Sequence, residues 1–170
     1  RPVERHLQAS GLTWTILRPN GFMQNVVNYY AATIKSQNAF YVPSRGARIS
    51  HVDARDVGAV AATTLTRSDF GGKVLTLSGP EALTYTEMAS KLSAAPGREI
   101  TYADVPDDAF KQGAMAAGIP EYYGDALIDL IHFYADNQAS AITSDVEQVT
   151  GAAPRTFSAF ARDHASLLSA

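Results

Sequence analysis

Strand-like and helix-like runs alternate along most of this chain, and that alternation restricts the fold more than any single residue does. "LTWTIL" at 12–17 alternates apolar and polar residues and carries Thr, Trp and Ile, the pattern of a half-buried strand. "RPNG" then interrupts it, and an amphipathic run follows over 22–35, with Phe22, Val26, Tyr30 and Ile34 at helical spacing. "AFYVP" predicts a short strand, "PSRG" a turn and "RISHV" at 48–52 another strand. Asp53 is a natural N-cap for the Ala- and Val-rich run that follows, and "KVLTLSG" is a third clear strand. Strands that alternate with helices imply an α/β chain with mostly parallel pairing.

The second half is mostly helical. Thr84-x-x-Glu87 forms a capping box for a helix expected to stop at Pro96-Gly97. "REITYADV" predicts a strand. Pro106 starts a helix that Gly118 closes, and "PEYYGDALIDLIHFYADN" has the broad apolar face of a longer one. Ser144 or Asp145 caps a short helix to Gly151, and Thr156 caps a last one through Leu168. The expected division is 1–79, holding the strands of a parallel sheet and the strand 48–52, and 80–170, a mostly helical cap. Strands 12–17 and 73–77, the more apolar pair, should lie side by side in one parallel sheet. Strand 48–52 should feed a right-handed crossover through 54–66 and pair with 99–103 in a smaller sheet.

Composition removes several function classes. The chain of 170 residues has no Cys, so it has no disulfide, thiolate nucleophile or Cys-based metal site. A formal charge of −3 with scattered basic residues argues against a nucleic-acid groove. No run approaches the ~18 consecutive apolar residues of a membrane span. The expectation is a globular protein of the cytoplasm that binds neither nucleic acid nor membrane.

Motif chemistry is sparse. No G-x-G-x-x-G and no P-loop occurs, so the chain carries no phosphate loop of its own. A Tyr-x-x-x-Lys pair is absent too, because Ala31, Asp69, Glu87 and Asp107 stand four residues before the lysines. The sequence names no catalytic residue. His51, Asp53 and Asp56 fall close enough for a metal or acid/base cluster, but a strand end, an N-cap and a first-turn acid account for them better. Tyr29 and Tyr30 read as half-buried core, whereas Tyr122 and Tyr123 stay open between core and stacking roles.

Four blocks, "VERHLQASGLTWTILRPNGFMQN", "ISHVDARDVGAVAATTL", "GKVLTLSGPEALTYTEMASKLSAAPGREITY" and "AGIPEYYGDALIDLIHFYAD", occur in this order. Together they resemble NmrA-like proteins, atypical members of the short-chain dehydrogenase/reductase superfamily that include NAD(P)H:quinone oxidoreductases and redox-sensing regulators. The resemblance implies the C-terminal part of an NAD(P)-binding Rossmann-type fold with a mostly helical substrate-binding subdomain. It also implies that NADP or NAD is held mainly by an N-terminal half that this chain lacks, so the chain alone should bind NAD(P) poorly.

In such proteins the loop after the 12–17 strand approaches the nicotinamide and walls the substrate pocket. That implicates Pro19, Asn20, Gly21 and Phe22 in cofactor binding. Pro19 would fix the turn, Gly21 permit close approach, and Asn20 offer donor and acceptor to a carboxamide. Phe22 and Met23 would present apolar surface to a flat ring. Arg18 could pin the loop to a neighbouring carboxylate. Tyr122 and Tyr123, bracketed by Gly118 and Gly124, are expected to border the substrate pocket as a mobile cover. The implied activity is hydride transfer from NAD(P)H to a small acceptor such as a quinone. The alternative is a non-catalytic NAD(P) sensor that acts through protein partners.

Overall fold

A computed structural model describes residues 1–95 and 97–169. Helix α1 (Pro2–Gln8) has Pro2 in its first turn and buries no residue. Strand β1 (Thr15–Pro19) pairs in parallel with β3 (Lys73–Leu77), in register from Thr15↔Lys73 to Pro19↔Leu77. This is the expected parallel pair, shifted toward the C-terminus. Leu12 is exposed, and the ladder begins only where Gly72 N–H donates to the Trp14 carbonyl at 2.7 Å. Arg18 reaches from β1 to α1, where it grips Glu4 with two bonds of 3.0 and 2.6 Å. It thus pins the end of β1, just before the corner, to a neighbouring carboxylate, one of the roles open to it.

The segment 48–52 is not the second-sheet strand the pattern predicts. The small sheet is instead β2 (Ala39–Tyr41) in parallel with β4 (Thr101–Ala103). The reason lies in where the backbone bonds of 48–52 go. Ile49 exchanges bonds of 3.0 Å with Leu83, and Ser50 N–H donates to Ala139 O at 2.9 Å. Val52 N–H donates to Gly21 O at 2.9 Å, and its carbonyl accepts from Met23 N–H at 3.0 Å. Successive residues thus serve three remote segments, so no ladder runs along any one partner, and the expected crossover from this strand is replaced by a knot of single bridges.

Those bonds also delay the helix expected at 22–35. Phe22 and Met23 are committed to the bridge with Val52, so winding starts later, as a π-helical turn (Val26–Tyr30) that leads into α2 (Ala31–Gln37). Asn38, left-handed at φ 54°, ends α2. Helix α3 (Ala54–Thr66) is capped by Asp53, whose carboxylate accepts from Arg55 N–H at 2.9 Å. Helix α4 (Tyr85–Ala94) opens on the expected capping box, Glu87 N–H to Thr84 Oγ1 at 3.2 Å and Thr84 N–H to Glu87 Oε2 at 2.8 Å. Pro96 of the expected stop lies outside the described residues.

Helices α5 (Asp107–Ala116) and α6 (Glu121–Ala135) follow as a hairpin, then α7 (Asp145–Thr150) and α8 (Phe157–Asp163). Ser144 makes no side-chain cap, and Asp145 reaches back instead to accept from Thr76 N–H of β3 at 2.6 Å. Thr156 caps α8 as expected, but the run breaks at His164 before α9 (Ala165–Leu168). The larger core gathers around Phe40, Met88, Leu92, Phe157 and Phe160, and a smaller one around Val52, Val60, Leu77 and Val149. Both draw residues from each side of residue 80. Among the described residues no helix is long and apolar enough to cross a membrane.

Candidate functional site

The corner after β1 opens onto a cavity of about 630 Å³. Gly21 and Phe22 form its sheet-side wall beside His51, the π turn and α2 contribute Val26, Tyr29, Tyr30 and Thr33, and α4 contributes Tyr85 and Met88. The α5–α6 hairpin closes the far side with Phe110, Ile119, Leu127, Ile131 and Tyr134. Among the described residues no Asp, Glu, Lys or Arg is in the lining. The wall is therefore apolar and aromatic with a few polar tips, the usual make-up of a site for a small flat molecule.

Two close approaches fix the sheet-side wall. A Cβ on Gly79 would lie 2.0 Å from the His51 carbonyl oxygen, so only glycine lets the end of β3 pass there. A Cβ on Gly21 would meet His51 Cδ2 at 3.2 Å. The aromatic wall is fixed by packing: Tyr30 stacks on Phe40 at 5.2 Å between centroids, and Tyr85 lies 6.3 Å from the same ring.

Burial sets the charge state. It pushes the Tyr30 phenol up to about 12 and the Tyr85 phenol well above its ordinary value, and it raises Tyr134 as well. Burial pulls His51 down to about 4, with the nearby Ile49 carbonyl offsetting little of that. At neutral pH these phenols and the imidazole are thus uncharged, and with Asn25, Asn28 and Thr33 they are hydrogen-bonding groups of the lining.

The sequence profile of the NmrA-like family matches residues 1–161. This chain belongs to the NmrA-like family. It is 35% identical to the NAD(P)H azoreductase of Xenophilus azovorans over 98% of this chain and 58% of that protein. Among solved structures, the NADPH-dependent quinone oxidoreductase of Escherichia coli superimposes with a TM-score of 0.86 at 23% identity, covering 99% of this chain and 60% of that one. Its complex with NADPH superimposes with a TM-score of 0.85 at 22% identity, over 94% of this chain and 56% of that one. The chain spans a little over half the length of these relatives, and its α/β architecture with parallel pairing is the Rossmann-type fold of the family.

The NmrA-like corner only partly matches the expected site. Gly21 and Phe22 line the cavity, but Pro19 ends β1 facing solvent. Asn20 does not offer its carboxamide to a ligand. Its Nδ2 already donates to Ser50 Oγ at 2.8 Å and Ala139 O at 2.7 Å, and its Oδ1 accepts from Gly21 N–H at 2.9 Å. Met23 is 1% exposed and packs in the core behind the wall, because its backbone bridge to Val52 turns the side chain inward.

Tyr122 and Tyr123 stand outside the lining at the start of α6, 74% and 43% exposed. From their segment it is Ile119 that reaches the cavity. Tyr123 meets the rim at Tyr29, whose phenol its hydroxyl pushes up. Tyr30 packs against the core as expected, whereas Tyr29 lines the cavity with 44% of its surface exposed.

Of the three acidic-cluster candidates, two are structural. Burial works to raise the Asp53 carboxyl, but hydrogen bonds from Arg55 and Gln24 outweigh it and hold it down at about 2. Asp56 is buried and pairs with Arg155. His51, read from the sequence as a strand end, is the one that faces the cavity. The readable signal was its place two residues before the Asp53 cap, on the alternate face shared by 49, 51 and 53.

Proposed function

We propose that this protein is an NAD(P)H-dependent oxidoreductase of the cytoplasm that reduces small, flat, uncharged acceptors such as quinones, this chain supplying the nicotinamide-side wall and the acceptor cavity. The observation that carries the reading is an uncharged aromatic cavity opening at the Gly21–Phe22 corner, at the carboxyl end of a parallel strand, where open α/β sheets bind ligands. The names of the azoreductase and quinone oxidoreductase relatives support it.

Gly21 and Phe22 fit the nicotinamide end of such a cofactor: one leaves room for close approach and the other offers a ring face. The lining holds no cationic side chain, so these residues do not fit the pyrophosphate. Bound NAD(P)H supplies the hydride. The chain's own residues do the rest. The apolar wall of Val26, Met88, Leu127 and Ile131 excludes water, Tyr30 and Phe22 present faces on which a flat ring can stack, and the protonated phenols offer donors to the acceptor's polar atoms.

The test is NADPH and NADH oxidation by a form spanning the length of its relatives, with and without naphthoquinone or a neutral azo dye. Acceptor-dependent consumption is expected. Tight NADPH binding with no consumption for any acceptor would replace this reading with a sensor.

A further inference from the structure

His51 is the one imidazole on the cavity wall, and the fold goes to some length to hold it there. It is 6% exposed, and its ring lies edge-on to Tyr85 at 6.4 Å and tilted against Phe157 at 6.4 Å. Gly79 presses on its carbonyl, and Gly21 lies against its Cδ2–Nε2 edge, where a Cβ would come within 3.2 and 3.4 Å of those atoms. Any larger residue at 21 would cover the edge of the ring that reaches the cavity.

The other edge is mute. Nδ1 is buried and meets no partner at hydrogen-bond distance and angle; the Ile49 carbonyl near the ring lies outside that geometry. A proton placed there would be a buried, unpaired N–H, which costs more than a bare ring nitrogen in the same place. The tautomer with its proton on Nε2 avoids that cost and leaves the donor at the cavity edge. The ring's depressed pKa keeps it neutral, so it donates a hydrogen bond without bringing in a charge. Asn20, the other candidate donor at the corner, has both amide hydrogens engaged.

We propose that His51 orients the acceptor by donating a hydrogen bond from Nε2 to a carbonyl oxygen or azo nitrogen of a flat aromatic lying between Gly21 and Tyr85. This rests on the reading of the cavity as an acceptor site. The consequence is specificity for ring systems that carry a hydrogen-bond acceptor over plain hydrocarbons of the same shape, because an empty donor is left unpaired in an apolar wall.

The test compares naphthoquinone with naphthalene, which has the same fused ring pair and no acceptor atom, by equilibrium dialysis against the wild-type chain, His51→Phe and His51→Gln. Wild type should prefer naphthoquinone by roughly tenfold, the worth of one buried hydrogen bond. His51→Phe should bring the two ligands within about twofold, while His51→Gln, which keeps a donor, should retain most of the preference. Equal loss of both ligands in His51→Phe, or an unchanged preference, overturns the proposal.

Nitrogen NMR of the wild-type ring gives an answer that needs no variant. Naphthoquinone should move the Nε2 resonance and leave it protonated, and saturating naphthoquinone without such a shift refutes the assignment. If wild type binds neither ligand, the acceptor-site reading itself falls. If it binds both equally well, only the role of His51 falls.

Discussion

The two sides of the cavity are built differently. The sheet side is knotted: residues 20–23, 49–52, 78–79 and 139–141 exchange backbone and side-chain bonds, and Ser50 Oγ alone donates to the Ala141 carbonyl at 2.6 Å while accepting from Asn20. The hairpin side is loosely held. Helix α5 buries none of its residues, α6 buries only Gly124 and Ile131, and Tyr122, Leu130 and Phe133 are exposed. Local opening is easiest where buried apolar contacts are few. The sheet side is therefore the more fixed wall, and local opening is expected first at the hairpin.

The most severe way to break that contrast is Gly79→Ala. Its methyl would overlap the His51 carbonyl, so the sheet side should lose roughly 3 kcal/mol or more in chemical denaturation. A loss below about 1 kcal/mol would mean this wall can shift after all.

Acid should act on the same side. His51 is neutral in the fold with its pKa near 4, against an ordinary 6.5, so the unfolded chain takes up a proton first as pH falls. The stability tied to His51 is fully present above about pH 6.5 and lost between there and pH 4, up to about 3 kcal/mol. His51→Gln should flatten that part of the stability–pH curve, and an unchanged slope would assign it to other groups. The Asp53 contribution is separate. It holds above its ordinary carboxylate range and fades only as pH falls toward 2.

Asn20→Ala comes next. It removes the donor from Ala139 O and Ser50 Oγ and should cost about 1–3 kcal/mol in thermal or urea unfolding. Smallest of all are Tyr122→Ala and Tyr123→Ala, with stability changes within about 0.5 kcal/mol because both rings are exposed. If the hairpin is a cover, Tyr123→Ala raises the acceptor KM at unchanged melting temperature, through the loss of its contact with Tyr29. A large drop in melting temperature instead would make the hairpin as structural as the sheet side.

What the sequence revealed follows the same division between local and distant causes. The β1–β3 pair, the Asp53 cap and the Thr84/Glu87 box were legible because period, composition and three-residue spacing decide them within one segment. The failure at 48–52 has the opposite origin: "RISHV" has strand chemistry, but its partners lie at 83, 139 and 21–23, and no local pattern announces them. Asn20 was misjudged for the same reason, since its carboxamide is taken up by a carbonyl 119 positions away. That Gly21 and Phe22 line the cavity was legible because a Pro-Asn-Gly corner after a strand is a local signal. His51 was missed because its neighbours look like ordinary cap chemistry.

The π-helical turn at Val26–Tyr30 makes the cavity sensitive to length rather than to composition. In an α-helix, consecutive residues point about 100° apart, and a π turn is in effect one residue added to that winding. Here the turn places Tyr29 and Tyr30 on the cavity wall, and α2 after it delivers Ile34 to the core. Removing a single residue from this turn would rewind it and swing α2 by roughly that angle, parting Tyr30 from Phe40. A deletion one codon long in this turn is therefore expected to disturb the wall more than an exchange of one of its side chains.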